Sequence, residues 1–174
     1  MFIDESGFFF EPLRRRSWAP RGKRPLLKAK SRGPKLSVLG VLSLSPQQRI
    51  TQYFKIQQRA FDQLDFVSVV CELRRVLRRP IIVVWDNLRA HKAAEKSVLL
   101  LKKRGIAFEP LPSYAPELNP VEATWSHSKY GDLANFTPQN VSQLEQAVIN
   151  SIRGQRRNQP LLRSFFQAAK LALE

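Results

Sequence analysis

With 174 residues, 43% of them apolar, the chain has the length for one domain with a sizeable core, and its composition excludes wholesale disorder. Twenty-nine Lys and Arg against 14 Asp and Glu leave a net charge of +15, which favours a polyanionic partner bound through counterion release, nucleic acid first among them. A single cysteine, Cys71, excludes an intrachain disulfide and a multi-cysteine zinc site, and apolar runs such as IIVVW at Ile81–Trp85 are too short to cross a bilayer.

The N-terminus lacks the basic-then-apolar layout of a signal peptide, so a cytoplasmic protein with no membrane partner is expected. MFIDESGFFF opens with strand-like residues. A basic stretch follows, with ten Lys or Arg and no acid between Arg14 and Lys35. Trp18 and the prolines Pro20, Pro25 and Pro34 make it an extended arm rather than a helix. Arg14, Arg15, Arg16, Arg21, Lys23 and Arg24 on this arm suit a phosphate backbone, giving affinity without sequence readout. KLSVLGVLSLS and RITQYFKIQ, joined by PQQ, read as an antiparallel hairpin.

From Ala60 to Arg79 the apolar residues recur at helical intervals, with Arg74, Arg75, Arg78 and Arg79 gathered towards the C-terminal end, where the helix dipole favours cations. IIVVWDN lacks alternation, as a strand buried on both faces of a parallel sheet does. A helix is expected over Lys92–Arg104, closed by Gly105, and IAFEPLP reads as a second parallel strand. Further helices are expected over Thr137–Arg157, with Thr137 as N-cap and Pro138 at the first helical position, and over Pro160–Leu173. The order predicts an α/β layer fold with a mixed sheet.

Three acids stand where charge needs a reason. Asp4 interrupts an apolar strand, and Asp86 ends IIVVW at the carboxyl end of a predicted parallel strand, where ligands gather in such sheets. Asp86-Asn87 could equally be a strand-to-helix turn bonding nearby amides. In SYAPELNPVEATW, Asn119 is a good N-cap and Pro120 a good first helical residue, so Glu122 falls where either a capping-box acid or a metal-binding acid would stand. This topology could bring Asp4, Asp86 and Glu122 to one edge, and converging oxygen ligands suit Mg²⁺ or Mn²⁺. Two such ions can activate water or a 3′-hydroxyl against a phosphodiester.

The segments DES at Asp4–Ser6, DNLRAH at Asp86–His91, SWAPRGKRP at Ser17–Pro25 and PSYAPELNPVEATW at Pro112–Trp125 together resemble the DDE transposases of the mariner-type superfamily, in particular the bacterial insertion-sequence branch. The resemblance runs from about Phe2 to Asn135, and the 35 residues between Asp86 and Glu122 fit that family's spacing. It implies a ribonuclease-H-like fold, as in retroviral integrases: a mixed five-stranded sheet flanked by helices. The core would be residues 1–135, with residues 136–174 forming helices packed on or extending it. Asp4, Asp86 and Glu122 would be the catalytic, metal-binding triad for two Mg²⁺ or Mn²⁺ ions. Asn87 and His91, the latter an exposed residue at a helix start, join Arg14, Arg15, Arg16, Trp18, Arg21, Lys23 and Arg24 as supporting or DNA-contact candidates. Trp125 reads as core packing.

The implied activity is metal-dependent DNA strand cleavage and strand transfer at insertion-sequence ends, with double-stranded DNA as partner and a homodimer on it. Such transposases carry a helix-turn-helix region before the catalytic domain. Here Asp4 lies close to the start, so the expectation is a catalytic half whose N-terminal DNA-binding domain is absent or supplied by a separate chain. Two other readings stay open: a non-catalytic DNA-binding remnant that occupies DNA or pairs with the full-length enzyme, and a basic RNA-binding protein.

Overall fold

The computed structural model describes residues 1–28, 33–100 and 105–173. Strand β1 (Phe2–Phe8) is followed by the basic arm, then by β2 (Leu36–Leu44) and β3 (Ile50–Gln57). Helix α1 (Gln63–Leu77), β4 (Ile81–Trp85), α2 (Arg89–Leu100) and β5 (Ile106–Pro110) come next. A short 3₁₀ turn at Pro116–Leu118 leads into α3 (Pro120–His127), which runs into a π-helical turn at Ser128–Asp132, and α4 (Val141–Arg156) and α5 (Gln159–Ala168) close the chain. The sheet order is β3-β2-β1-β4-β5, antiparallel through β1, β2 and β3 and parallel from β1 to β4 to β5. This is the expected five-stranded mixed sheet flanked by helices.

The strand pleat sorts the core into two clusters, because successive side chains point to opposite faces. Phe8, Leu36, Val38 and Leu42 pack with Val121, Trp125 and the apolar faces of α4 and α5. Ile3, Leu39, Val41, Val83 and Trp85 pack with Phe66, Val70, Ala94 and Val98 of α1 and α2. Helices α4 and α5 share the first cluster with the strands and so pack onto the sheet.

Several boundaries differ from the sequence reading. Helix α2 begins at Arg89, three residues early, while residues 101–104 of the expected helix lie outside the described residues. Helix α4 begins at Val141 with Asn140 as its N-cap in place of Thr137. The Asn140 side chain accepts from the Gln143 N–H at 2.9 Å, and the Gln143 side chain accepts from the Gln139 N–H at 2.8 Å. The first bond satisfies a first-turn donor, and the second ties the residue ahead of the cap to the same turn. Helix α1 has an unforeseen capping box: Asp62 accepts from the Asp65 N–H, and Asp65, itself buried, accepts from the Asp62 N–H. Arg59 forks onto the Asp65 carboxylate, with Lys55 and Gln57 beside it.

Candidate active site

Alternation along β1 decides which acid goes where. Phe2, Asp4, Ser6 and Phe8 face α3, whereas Ile3 and Glu5 face α1 and α2. Asp4 is held there by Trp125, whose indole Nε1–H donates to its carboxylate at 2.8 Å. The indole can lie so close because Gly40 is the residue paired with Asp4 on β2, and a Cβ at that position would fall 2.6 Å from the Trp125 ring. Trp125 is buried and meets Phe8 edge-on, so it packs in the core as expected and also fixes an acid.

Strand β4 ends at Trp85, so Asp86 escapes the pleat and turns at the strand end. Its Oδ1 accepts from the Leu88 N–H at 2.9 Å, the strand-to-helix turn considered from sequence, and also meets His91 Nδ1 at 2.6 Å. Asn87 donates to the Leu111 carbonyl at 2.9 Å and ties the end of β4 to the segment after β5.

His91 is not exposed as expected; its relative exposure is 0%. The early start of α2 turns its ring inward, stacked 4.7 Å from Trp85 and edge-on to Phe66 at 4.4 Å. Its Nε2 lies 3.3 Å from the Glu5 carboxylate, so the ring stands between two acids. Burial opposes its charged form, yet Glu5 and Asp86 more than offset this and hold its pKa above the usual histidine value.

Glu122 is not spent on capping. The Asn119 side chain takes the Val121 N–H, while the Asn119 N–H goes to the Pro116 carbonyl, leaving no capping box at the start of α3. Asp4, Asp86 and Glu122 all line one cavity of about 400 Å³, whose opposite wall is the loop from Leu111 to Pro116. Burial, and then repulsion from Glu122, push the Asp4 carboxyl up to about 7. Burial raises Glu122 as well, with the Asp86 charge adding to it and Lys129 opposing.

Among the described residues no three such side chains stand close enough to share one ion. The Asp86 carboxylate is turned onto Leu88 and His91. The donor set nevertheless fits a hard divalent cation: three carboxylates in one cavity, two of them with pKa values raised by burial and by a neighbouring carboxylate.

The basic arm lies apart. None of Arg14, Arg15, Arg16, Trp18, Arg21, Lys23 or Arg24 lines this cavity. The root of the arm is clamped where the Asn135 side chain bonds both backbone groups of Arg15 and the Arg15 guanidinium donates to the Tyr130 carbonyl. Beyond that clamp Trp18 is exposed.

The sequence reading missed Lys129. It lies seven residues after Glu122, about two helical turns on and so near the same face, which was the available signal. The π-helical turn presents its ammonium to Ser6 at 2.7 Å and over the Phe8 ring. Burial lowers its pKa, while Glu122 and Asp4 act in the opposite direction.

The sheet has the ribonuclease-H-like order, with Asp4 within β1, Asp86 just past the end of β4 and Glu122 in the first turn of α3 around one cavity. The family model of the DDE superfamily endonucleases matches residues 1–145, and the chain belongs to that family. Solved structures with the same fold include the Mos1 mariner paired-end complex with Mn (TM-score 0.67, 16% identity, 97% of this chain and 53% of that one). They also include a Mos1 transposase paired-end complex with the left transposon end (TM-score 0.64, 16% identity, 97% and 50%). A third is the catalytic domain of Mos1 mariner transposase (TM-score 0.53, 14% identity, 99% and 84%). The chain thus has the catalytic-domain fold of mariner-type DDE transposases and spans about half the length of the paired-end transposase chains it matches. No curated protein is a significant sequence match. No helix among the described residues is long and apolar enough to cross a membrane.

Proposed function

We propose that this chain is the catalytic domain of an insertion-sequence transposase, cleaving DNA strands at element ends and transferring them to target DNA. The observation that carries this reading is that Asp4, Asp86 and Glu122, from two strands and a helix start, line a single cavity in a member of the DDE endonuclease family. These three side chains would hold two Mg²⁺ or Mn²⁺ ions. Bound there, such ions activate water or a 3′-hydroxyl and neutralise charge on the attacking and leaving oxygens.

The remaining roles belong to the chain's own residues. Trp125 aims Asp4 into the cavity, and His91, wedged against Trp85, fixes the position from which Asp86 swings inward. Lys129, half-buried with its ammonium on Ser6, lies outside the cavity lining but sets a positive charge against Asp4 and Glu122. The arm from Arg14 to Arg24 neutralises backbone phosphates outside the cavity and supplies salt-sensitive affinity. We infer residues 1–135 to be the endonuclease core with residues 136–174 supporting it. A dimer on double-stranded DNA completes the proposal.

The test is nicking of supercoiled DNA with Mg²⁺ or Mn²⁺. Asp86→Asn should lower the rate by at least about a hundred-fold, with DNA affinity kept or raised because a negative charge is lost. Equal rates in variant and parent contradict the assignment. One observation favours a non-catalytic DNA-binding remnant: Asp86 Oδ1, although the residue lines the cavity, is already engaged by the Leu88 N–H and His91. DNA binding without nicking at any metal concentration selects that reading.

A further inference from the structure

Tyr114 lies on the wall of the acidic cavity, in the loop between β5 and the 3₁₀ turn. Its relative exposure is 102%, so its ring packs against nothing in the chain. Its backbone is left-handed, with φ 60°, a conformation in which any side chain larger than glycine is strained. Glycine or asparagine would occupy this position at lower energy. The loop is also stiff beyond it: the Leu118 N–H bonds the Ala115 carbonyl at 3.1 Å, the Asn119 N–H bonds the Pro116 carbonyl at 2.9 Å, and Pro116 and Pro120 restrict the chain. A large aromatic ring therefore stands free on the rim of the cavity at a backbone cost that no contact within the fold repays.

The cavity itself supplies the reason. At about 400 Å³ it admits a phosphate and its neighbouring sugar rather than a whole base pair, so a strand with unpaired bases fits it more readily than one held in a duplex. A base unstacked in this way exposes its π-face to water, and an aromatic platform recovers that stacking without regard to sequence. We propose that Tyr114 is a stacking platform for an unpaired DNA base adjoining the linkage held at Asp4, Asp86 and Glu122. This rests on the phosphodiester reading of the cavity and adds to it a ligand class, the nucleobase, and the residue that takes it. Tyr114 binds the face of the ring, so it discriminates paired from unpaired DNA rather than one base from another.

Glycine is the informative replacement, since it removes the ring and relieves the left-handed strain, so Tyr114→Gly folds at least as stably as the parent. The probe is a DNA duplex with a few unpaired nucleotides at one end, one of them 2-aminopurine, titrated in Ca²⁺ so that binding is measured without turnover. The parent and Tyr114→Phe should quench the 2-aminopurine emission and bind the open-ended probe more tightly than a blunt duplex. Tyr114→Gly should lose the quenching and about ten- to a hundred-fold of affinity for the open-ended probe, with blunt-duplex affinity unchanged. If Tyr114→Gly quenches and binds as the parent does, the platform is overturned even where the parent nicks DNA. A parent that quenches and prefers the open-ended probe but never nicks upholds the platform and sinks the catalytic reading instead.

Discussion

The two faces of the sheet solve different problems with the same strand. The α1/α2 face is an apolar cluster of Ile3, Leu39, Val41, Phe66, Val83 and Trp85, into which one titratable ring, His91, is sealed between two carboxylates. The α3 face is apolar around Phe8, Leu42, Trp125 and Phe166 but carries a buried polar chain through it: Gln155 donates to Ser128, Ser128 and Ser151 share a hydrogen bond, and Gln52 donates to Gln155. Asp4 sits on this second face under Trp125. Asp86 stands where the two faces meet, pulled by His91 towards the first while lining the cavity of the second. The difference teaches that the acids are positioned by unlike means: a tryptophan over a glycine for one, a buried histidine for the other.

Breaking the His91 side should have the largest effect. His91→Ala empties a packed slot against Trp85 and Phe66, takes the cation from Glu5 and leaves Asp86 with only the Leu88 N–H, so a loss of about 3 kcal/mol is expected in denaturant unfolding. His91→Gln, which keeps a donor, should recover part of that loss. The next effect belongs to the other face. Gly40→Val drives a side chain into the Trp125 ring and should cost about 1–3 kcal/mol, with loss of the Asp4 contact read as slower nicking beyond what stability explains.

The third effect is a pH dependence. The folded state holds a proton on Asp4 that the unfolded chain releases, so between about pH 4 and pH 7 this group lowers stability progressively as pH rises, and above that window its contribution is flat. Asp4→Asn should therefore raise the melting temperature at about pH 8 and hardly alter it near pH 4. A parent whose stability does not fall across that window contradicts the buried setting of Asp4. Mg²⁺ should restore the parent's stability at the alkaline end and do little for the variant. The smallest effect separates two caps of α4: Asn140→Ala should cost about 1 kcal/mol, and Thr137→Ala close to nothing.

Most of the sheet was legible because its signals are periodic and local. The β-rich hairpin, the unbroken apolar run of β4 and the helical spacing of α1 each follow from side-chain alternation, and the mixed sheet follows from their order. The positions of Asp4 and Asp86 were legible as charges in apolar surroundings. What the sequence hid depends on contacts between distant residues. His91 read as an exposed helix-start residue because nothing local shows that Trp85 and Phe66 close over it. Gly40 is unremarked in a strand until Trp125 is seen resting on it. Thr137-Pro138 has the form of a helix start, but the Asn140 side chain caps the first turn instead. Lys129 follows a helix that changes to a π-turn, which blurs the spacing that would place it beside Glu122.

The central claim is that Asp4, Asp86 and Glu122 close on divalent metal when DNA enters the cavity. Anomalous diffraction from crystals of the full chain with Mn²⁺ and DNA tests it most directly. Mn²⁺ signal is expected in the cavity within bonding distance of all three carboxylates, with the Asp86 carboxylate released from the Leu88 amide. Mn²⁺ found elsewhere, or a cavity whose Asp86 still faces Leu88 and His91 and whose Glu122 touches no ion at saturating metal, contradicts it.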